Sequence, residues 1–159
     1  MNLGFDEAMT LVAEVCQAYD NDGVEAMIIP PYLYLRHAYE FIRQHSSRVM
    51  LGAQDCSMHS QGAFTGEISA DMLKRSGADW TLIGHSERRM YHNEDDDLLR
   101  AKVSAALQAG LQVIFCCGEG LEQRDAGKEE AIVGQQLTGG LKGLSAEEFK
   151  RVVIAYEPV

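Results

Sequence analysis

The sequence predicts an α/β fold of parallel βαβ units, on three observations. Five short, almost purely apolar runs recur along the 159 residues, and segments with helical periodicity separate them. The runs lack the apolar–polar alternation of a sheet wet on one side, so their strands are expected to be covered on both faces. An apolar fraction of 46% supplies side chains for such a core, in a chain as long as one ordinary domain. No linker or low-complexity tract divides residues 1–159, which read as a single domain.

Phe5, Ala8, Val12, Val15 and Tyr19 recur every three or four residues and predict a first helix over residues 4–19. Ala26-Met27-Ile28-Ile29 is the first strand, stopped by Pro30-Pro31, and a helix is expected from there to about residue 44. Val49-Met50-Leu51-Gly52-Ala53 is the second strand, followed by a polar, glycine-bearing loop over residues 54–66. A short helix over residues 69–76 is closed by Gly77, and Trp80-Thr81-Leu82-Ile83 is the third strand. Residues 94–109 read as a helix with Leu99, Val103 and Ala106 on one face and Gly110 as its stop. The acids Glu94-Asp95-Asp96-Asp97 open that helix and complement its dipole; no metal site is expected there. Leu111-Gln112-Val113-Ile114-Phe115-Cys116 is the fourth strand. Residues 122–141 read as one helix, against which Gly127 and Gly134 count. Ser145-Ala146-Glu147-Glu148 has the form of a capping box, and Val152-Val153-Ile154-Ala155-Tyr156 is the fifth strand.

Charge and cysteine usage narrow the partners. The net charge of −10, from 24 acids against 14 bases, repels phosphate backbones, so no nucleic acid and no anionic membrane surface is expected. No apolar stretch approaches the ~20 residues that span a bilayer. Met1-Asn2-Leu3-Gly4-Phe5-Asp6-Glu7 lacks the basic region and apolar core of a signal peptide. Cys16, Cys56, Cys116 and Cys117 contain no Cys-x-x-Cys pair, which points to reduced thiols in the cytoplasm rather than a zinc or disulfide framework.

A doubly wound open sheet and a (β/α) barrel share this alternation, and both gather chemistry at the carboxyl ends of their strands. Gln54, His85, Glu119 and Glu157 stand there, after the second to fifth runs. No Gly-x-Gly-x-x-Gly follows the first strand, which weighs against a dinucleotide fold. A carboxylate beside an imidazole can take a carbon-bound proton while the imidazole polarises the neighbouring carbonyl. The plain alternative is a pair of solvated loop residues.

Three stretches sharpen this reading. Ile83-Gly84-His85-Ser86-Glu87-Arg88-Arg89 resembles the histidine motif of the triosephosphate isomerase family. Ala155-Tyr156-Glu157-Pro158-Val159 resembles the start of its glutamate motif, and Gly62-Ala63-Phe64-Thr65-Gly66-Glu67-Ile68-Ser69 its long loop after the third barrel strand. Order and spacing agree over essentially the whole chain. The resemblance implies a (β/α)8 barrel, here an incomplete one of about five parallel strands with their helices. It implies reversible conversion of glyceraldehyde 3-phosphate and dihydroxyacetone phosphate, a glycolytic and gluconeogenic step, without metal or organic cofactor. Glu157 would be the base and His85 the neutral electrophile bonded to the substrate oxygens. Neutrality of that ring is a known property of the family's histidine and enters through the resemblance. Residues 86–89 can begin a helical turn whose positive end faces the ring.

Glu87 resembles a further acidic residue of the family site, orienting neighbours or relaying a proton; a salt bridge to Arg88 or Arg89 is the alternative. Cys116 matches a family cysteine and reads as packing, since an apolar strand end raises a thiol pKa. Pro158 and Val159 would be the hinge of a mobile lid. The loop bearing Gln54, Phe64, Thr65, Gly66 and Glu67 resembles the one that enters the partner subunit, which implies a homodimer. Its apolar tip, Ala63-Phe64, needs burial, although the loop can also pack on its own chain. Met90-Tyr91-His92-Asn93 departs from the family wording, where an aromatic and a glycine are common, and this bears on the local loop shape.

The family's first strand ends in an asparagine-x-lysine segment, and this chain begins just beyond it. Val159 stands where the lid begins, so lid, last strands and phosphate-gripping loops are not represented. Five strands cannot close an eight-stranded barrel, and unpaired edges are expected at both ends. The isolated 159-residue polypeptide is therefore expected to show no turnover, and to be partner-stabilised, aggregation-prone or a piece of a longer chain. Two other readings stand beside the enzyme. One is a non-catalytic barrel fragment acting as a binding or assembly module. The other is a thiol hydrolase using Cys116 or Cys117 with His85, for which no oxyanion hole is recognisable.

Overall fold

The computed structural model describes residues 2–20 and 23–159. Met1, which opens the N-terminal stretch read above, lies outside them. Five strands, β1 (Met27–Ile28), β2 (Met50–Ala53), β3 (Trp80–Ile83), β4 (Gln112–Cys117) and β5 (Val152–Tyr156), form one sheet in the order β1-β2-β3-β4-β5. All four pairings are parallel; Ile83 faces Phe115 across β3–β4, and Cys117 faces Tyr156 across β4–β5.

Strand order decides the topology that the alternation left open. Crossovers between parallel strands are right-handed, so an order that never reverses sends every connecting helix to the same face. A doubly wound sheet needs a reversal, and none occurs. The sheet curls as part of a barrel, five strands long and open beyond β1 and β5.

The helices are α1 (Phe5–Ala18), α2 (Tyr32–Gln44), α3 (Ala70–Arg75), α4 (Ser86–Tyr91), α5 (Asp96–Gln108), α6 (Leu121–Asp125), α7 (Glu129–Gly140) and α8 (Ala146–Phe149). Several starts are set by side-chain caps: Ser69, Asp95 and Ser145 accept from the amides of Met72, Leu98 and Glu148. Helix α5 buries Leu99, Val103, Ala106 and Leu107 against β3 and β4, where Ile83, Val113 and Phe115 are fully covered. Each such large apolar side chain contributes roughly 1.5–3 kcal/mol of transfer free energy.

Two expectations need correction. Residues 122–141 are two helices, because Gly127 takes a left-handed φ of 64° that ends α6, while Gly134 is tolerated inside α7. Cover on both faces fails at β5, whose Val153, Ile154 and Tyr156 are 50%, 39% and 48% exposed. That strand pairs on one side only, with β4. Among the described residues no helix is long and apolar enough to cross a membrane.

Candidate active site

Two strand ends bring the imidazole and the carboxylate together. His85 follows β3 directly after Gly84 and caps α4, its Nδ1 accepting from the Glu87 amide at 3.4 Å. Glu157 follows β5, and its amide donates to the Cys117 carbonyl at 2.8 Å, one step beyond the last ladder pair. His85 Nε2 lies 3.0 Å from Glu157 Oε1, and the Ser86 amide donates to Glu157 Oε2 at 3.0 Å. With Nδ1 accepting, the neutral tautomer compatible with this geometry carries its N–H on Nε2, directed at the carboxylate. Both side chains are about one-third exposed, at 34% and 29%. An adjoining cavity of about 490 Å³ is lined by Ile29, Gln54, Leu82, His85, Glu87 and Arg88, among others. A donor N–H and a carboxylate side by side at an open rim can polarise a carbonyl and take a proton from its neighbouring carbon.

Glu87 is the second acid of this rim, after Glu157. Its carboxylate lies 3.7 Å from His85 Nδ1 and is 74% exposed. The alternative of a bridge to Arg88 or Arg89 is corrected by where those guanidinium groups go. Arg88 pairs with Asp55 at 3.0 Å and Glu94 at 2.8 Å, and Arg89 with Asp96 at 2.8 Å. Arg89 also donates to the carbonyls of Gly84 at 2.9 Å and Cys116 at 3.4 Å, tying the ends of β3 and β4 to α4.

Beneath α4 lies a charge cluster that the sequence reading missed. Lys102, only 4% exposed, donates to both Asp55 oxygens at 2.8 and 2.7 Å and to Glu94 at 2.7 Å. Burial alone would raise both carboxyls. For Asp55 burial prevails over Lys102 and its carboxyl sits above the ordinary value; for Glu94 the hydrogen bonds from Lys102 and Arg88 outweigh burial and hold it below. The signal was present, since Lys102 falls on the buried face of α5 with Leu99, Val103 and Ala106. The acidic run divides accordingly. Asp95 caps α5 and Asp96 and Asp97 fill its first turn, but Glu94 is buried in the ion cluster rather than complementing a dipole. Among the described residues no group of three or more His, Cys, Asp or Glu is arranged to hold a metal ion.

The remaining sequence candidates fall in different places. Glu119 is buried, accepting from Arg124 at 2.6 Å and from the Tyr156 hydroxyl at 3.0 Å. Burial pushes its carboxyl up, and its hydrogen bonds outweigh that and hold it down. The Cys116 thiol is buried and pushed up to about 12, chiefly by burial and then by the Glu157 charge. Cys117 is raised as well, so neither supplies a thiolate near neutral pH. Gln54 donates to the Ile29 carbonyl at 3.1 Å beside the cavity. Residues 60–67, which include Thr65, Gly66 and Glu67, are exposed throughout. Phe64 stacks on His59 of its own loop, 3.6 Å between centroids, yet stays 42% exposed. Pro158 and Val159 follow Glu157 directly, and Val159 is 58% exposed. Asn93 adopts φ 54°, a left-handed value that asparagine tolerates better than most residues.

Parallel strands in barrel order, with an imidazole and a carboxylate converging at their carboxyl ends, define a (β/α)-barrel chain with an acid–base rim. The family model described as triosephosphate isomerase matches residues 1–159. Triosephosphate isomerase of Nocardia farcinica is 45% identical over 162 residues, covering 100% of this chain and 62% of the relative. That of Chloroherpeton thalassium is 45% identical, covering 100% of this chain and 63% of the relative. The crystal structure of the Bartonella henselae triosephosphate isomerase aligns with a TM-score of 0.87 at 38% identity, over 99% of this chain and 64% of that one. The chain belongs to the triosephosphate isomerase family, and it spans about 62% of the length of the curated relatives it matches.

Proposed function

We propose that residues 1–159, one partial barrel domain, carry the proton-transfer part of a cytoplasmic triosephosphate isomerase. The reaction interconverts glyceraldehyde 3-phosphate and dihydroxyacetone phosphate through an enediolate. Glu157 is the base that moves a proton between the two carbons. His85 offers its Nε2–H to the substrate oxygens, so hydrogen bonding contributes to holding the enediolate charge and the proton transfer calls for no cofactor. The carboxylate rests on the Ser86 amide and the His85 ring, and substrate replaces it at the ring. Glu87 orients the imidazole from the Nδ1 side. Pro158 and Val159 begin the lid, and the exposed loop with Phe64, Thr65, Gly66 and Glu67 enters a second subunit of a homodimer, with Gln54 at its root.

The observation that carries this reading is the 3.0 Å approach of His85 Nε2 to Glu157 Oε1 at the carboxyl ends of β3 and β5, on the family's two motifs. The test is a completed barrel: residues 1–159 joined to the flanking segments of the Nocardia farcinica relative. Such a polypeptide is expected to turn over triose phosphate and to sediment as a dimer, whereas the 159 residues alone show no turnover. A folded chimera without isomerase activity would overturn the reading, and a monomeric active one would remove the dimer. The exposed apolar edge of β5, with Val153 and Ile154, favours an assembly module as the second reading. Capture of a partner by the isolated chain, with no activity in the chimera, would support it.

A further inference from the structure

Helix α7 touches the end of β4 in a way the chemistry above does not use. The Gln136 side-chain amide makes two hydrogen bonds to one residue: its Oε1 accepts from the Gly118 amide at 2.9 Å, and its Nε2 donates to the Gly118 carbonyl at 2.9 Å. Gly118 is the first residue past β4, where the ladder has ended and its own backbone groups need other partners. On its other side it abuts the base. A Cβ at position 118 would overlap the Glu157 carbonyl oxygen and come within 3.4 Å of the Glu157 Cβ. The Glu157 amide meanwhile donates to the neighbouring Cys117 carbonyl at 2.8 Å. The backbone of Glu157 thus rests on a bare main-chain platform that Gln136 grips from behind.

We propose that Gln136 is a positioning residue for the isomerase reaction, fixing Gly118 and through it the depth at which Glu157 faces His85. This rests on the isomerase reading. A group that sets the placement of a base acts on turnover more than on substrate affinity, and a misplacement of about 1 Å can cost on the order of 100-fold in rate. Methionine at 136 keeps the length and removes both bonds. Glutamate keeps an acceptor for the Gly118 amide but turns a second acceptor on the carbonyl. Asparagine is one methylene too short to reach either group at 2.9 Å.

The experiment measures kcat and KM in the completed barrel for Q136M and Q136E, with Q135M as a control on the exposed face of the same helix. Q136M is expected to lower kcat by about ten- to 100-fold with KM within twofold. Q136E should fall between Q136M and the parent, and Q135M should match the parent. Where Q136M fails to fold, Q136E alone carries the test by the same split. Unchanged kcat in a folded variant, or equal losses in Q136M and Q135M, would overturn the proposal. Absence of turnover in the unsubstituted barrel would instead overturn the isomerase reading, and the proposal with it.

Discussion

Helix α4 separates two charged regions built on opposite physical terms. On its open side, His85 and Glu157 face each other at about one-third exposure, with a single backbone amide as the carboxylate's other partner. On its closed side, Asp55, Arg88, Glu94 and Lys102 form a network in which each charge meets at least one opposite charge within 3.0 Å. The open pair has lone pairs to spare and a cavity beside it; the closed network spends its charges on one another and leaves Glu94 Oε2 as a buried oxygen without a hydrogen bond. A site needs unspent hydrogen-bonding capacity where a ligand arrives, whereas a buried scaffold is stabilised by pairing its charges internally.

Substitutions on the two sides of α4 should therefore separate activity from stability. His85→Gln in the completed barrel is expected to lower kcat by about 10²–10⁴-fold while the unfolding midpoint moves little. Lys102→Met should reverse the pattern. It leaves Asp55 and Glu94 buried with only Arg88 between them, at a cost of about 3–5 kcal/mol read by urea unfolding. Loss of activity in that variant should follow the fraction unfolded. If Lys102→Met were harmless, the closed network would be ornament rather than scaffold.

Acid titration sharpens the same contrast. Glu94 and Glu119 have folded-state values below that of an ordinary glutamate, so the folded chain binds fewer protons than the unfolded one. Their contribution is present above about pH 4.3, the ordinary glutamate value, and is lost as pH falls through the lower folded values. Asp55, raised by burial, acts in the opposite sense and loses stability as pH rises through its folded value. Glu119→Gln is expected to flatten the acid limb of a stability–pH curve; a limb as steep as the parent's would contradict the assignment. The smallest effect belongs to the exposed Lys74–Asp79 pair, where Lys74→Ala should change stability by less than about 1 kcal/mol.

How much of this was legible in the sequence follows from the range of the interactions. Strand β3 coincides with the apolar run Trp80–Ile83, and β4 is offset by one residue from its run, because burial on a parallel sheet writes itself locally. Strand β1 is two residues long, one shorter at each end than its run, and Pro30 and Pro31 lack the donors that would carry it past Ile29. Residues 85 and 157 stand just past such runs, a weak signal alone, and were singled out by the resemblance of their flanking residues to the family's histidine and glutamate motifs. Lys102 was half-legible, a lysine on an apolar stripe whose partners at 55 and 94 no local pattern connects to it. Gln136 was silent: a glutamine within a helix with weak amphipathic pattern gives no sign that its amide reaches Gly118, 18 residues away in sequence.

The central claim is that the Glu157 carboxylate takes the carbon-bound proton. Incorporation of solvent deuterium into triose phosphate by the completed barrel, compared with Glu157→Gln, tests it most directly. Rapid incorporation by the parent and at least about a 10³-fold loss in the variant, with binding of an enediolate-like phosphate inhibitor retained, is the result expected. Undiminished incorporation by Glu157→Gln would contradict it.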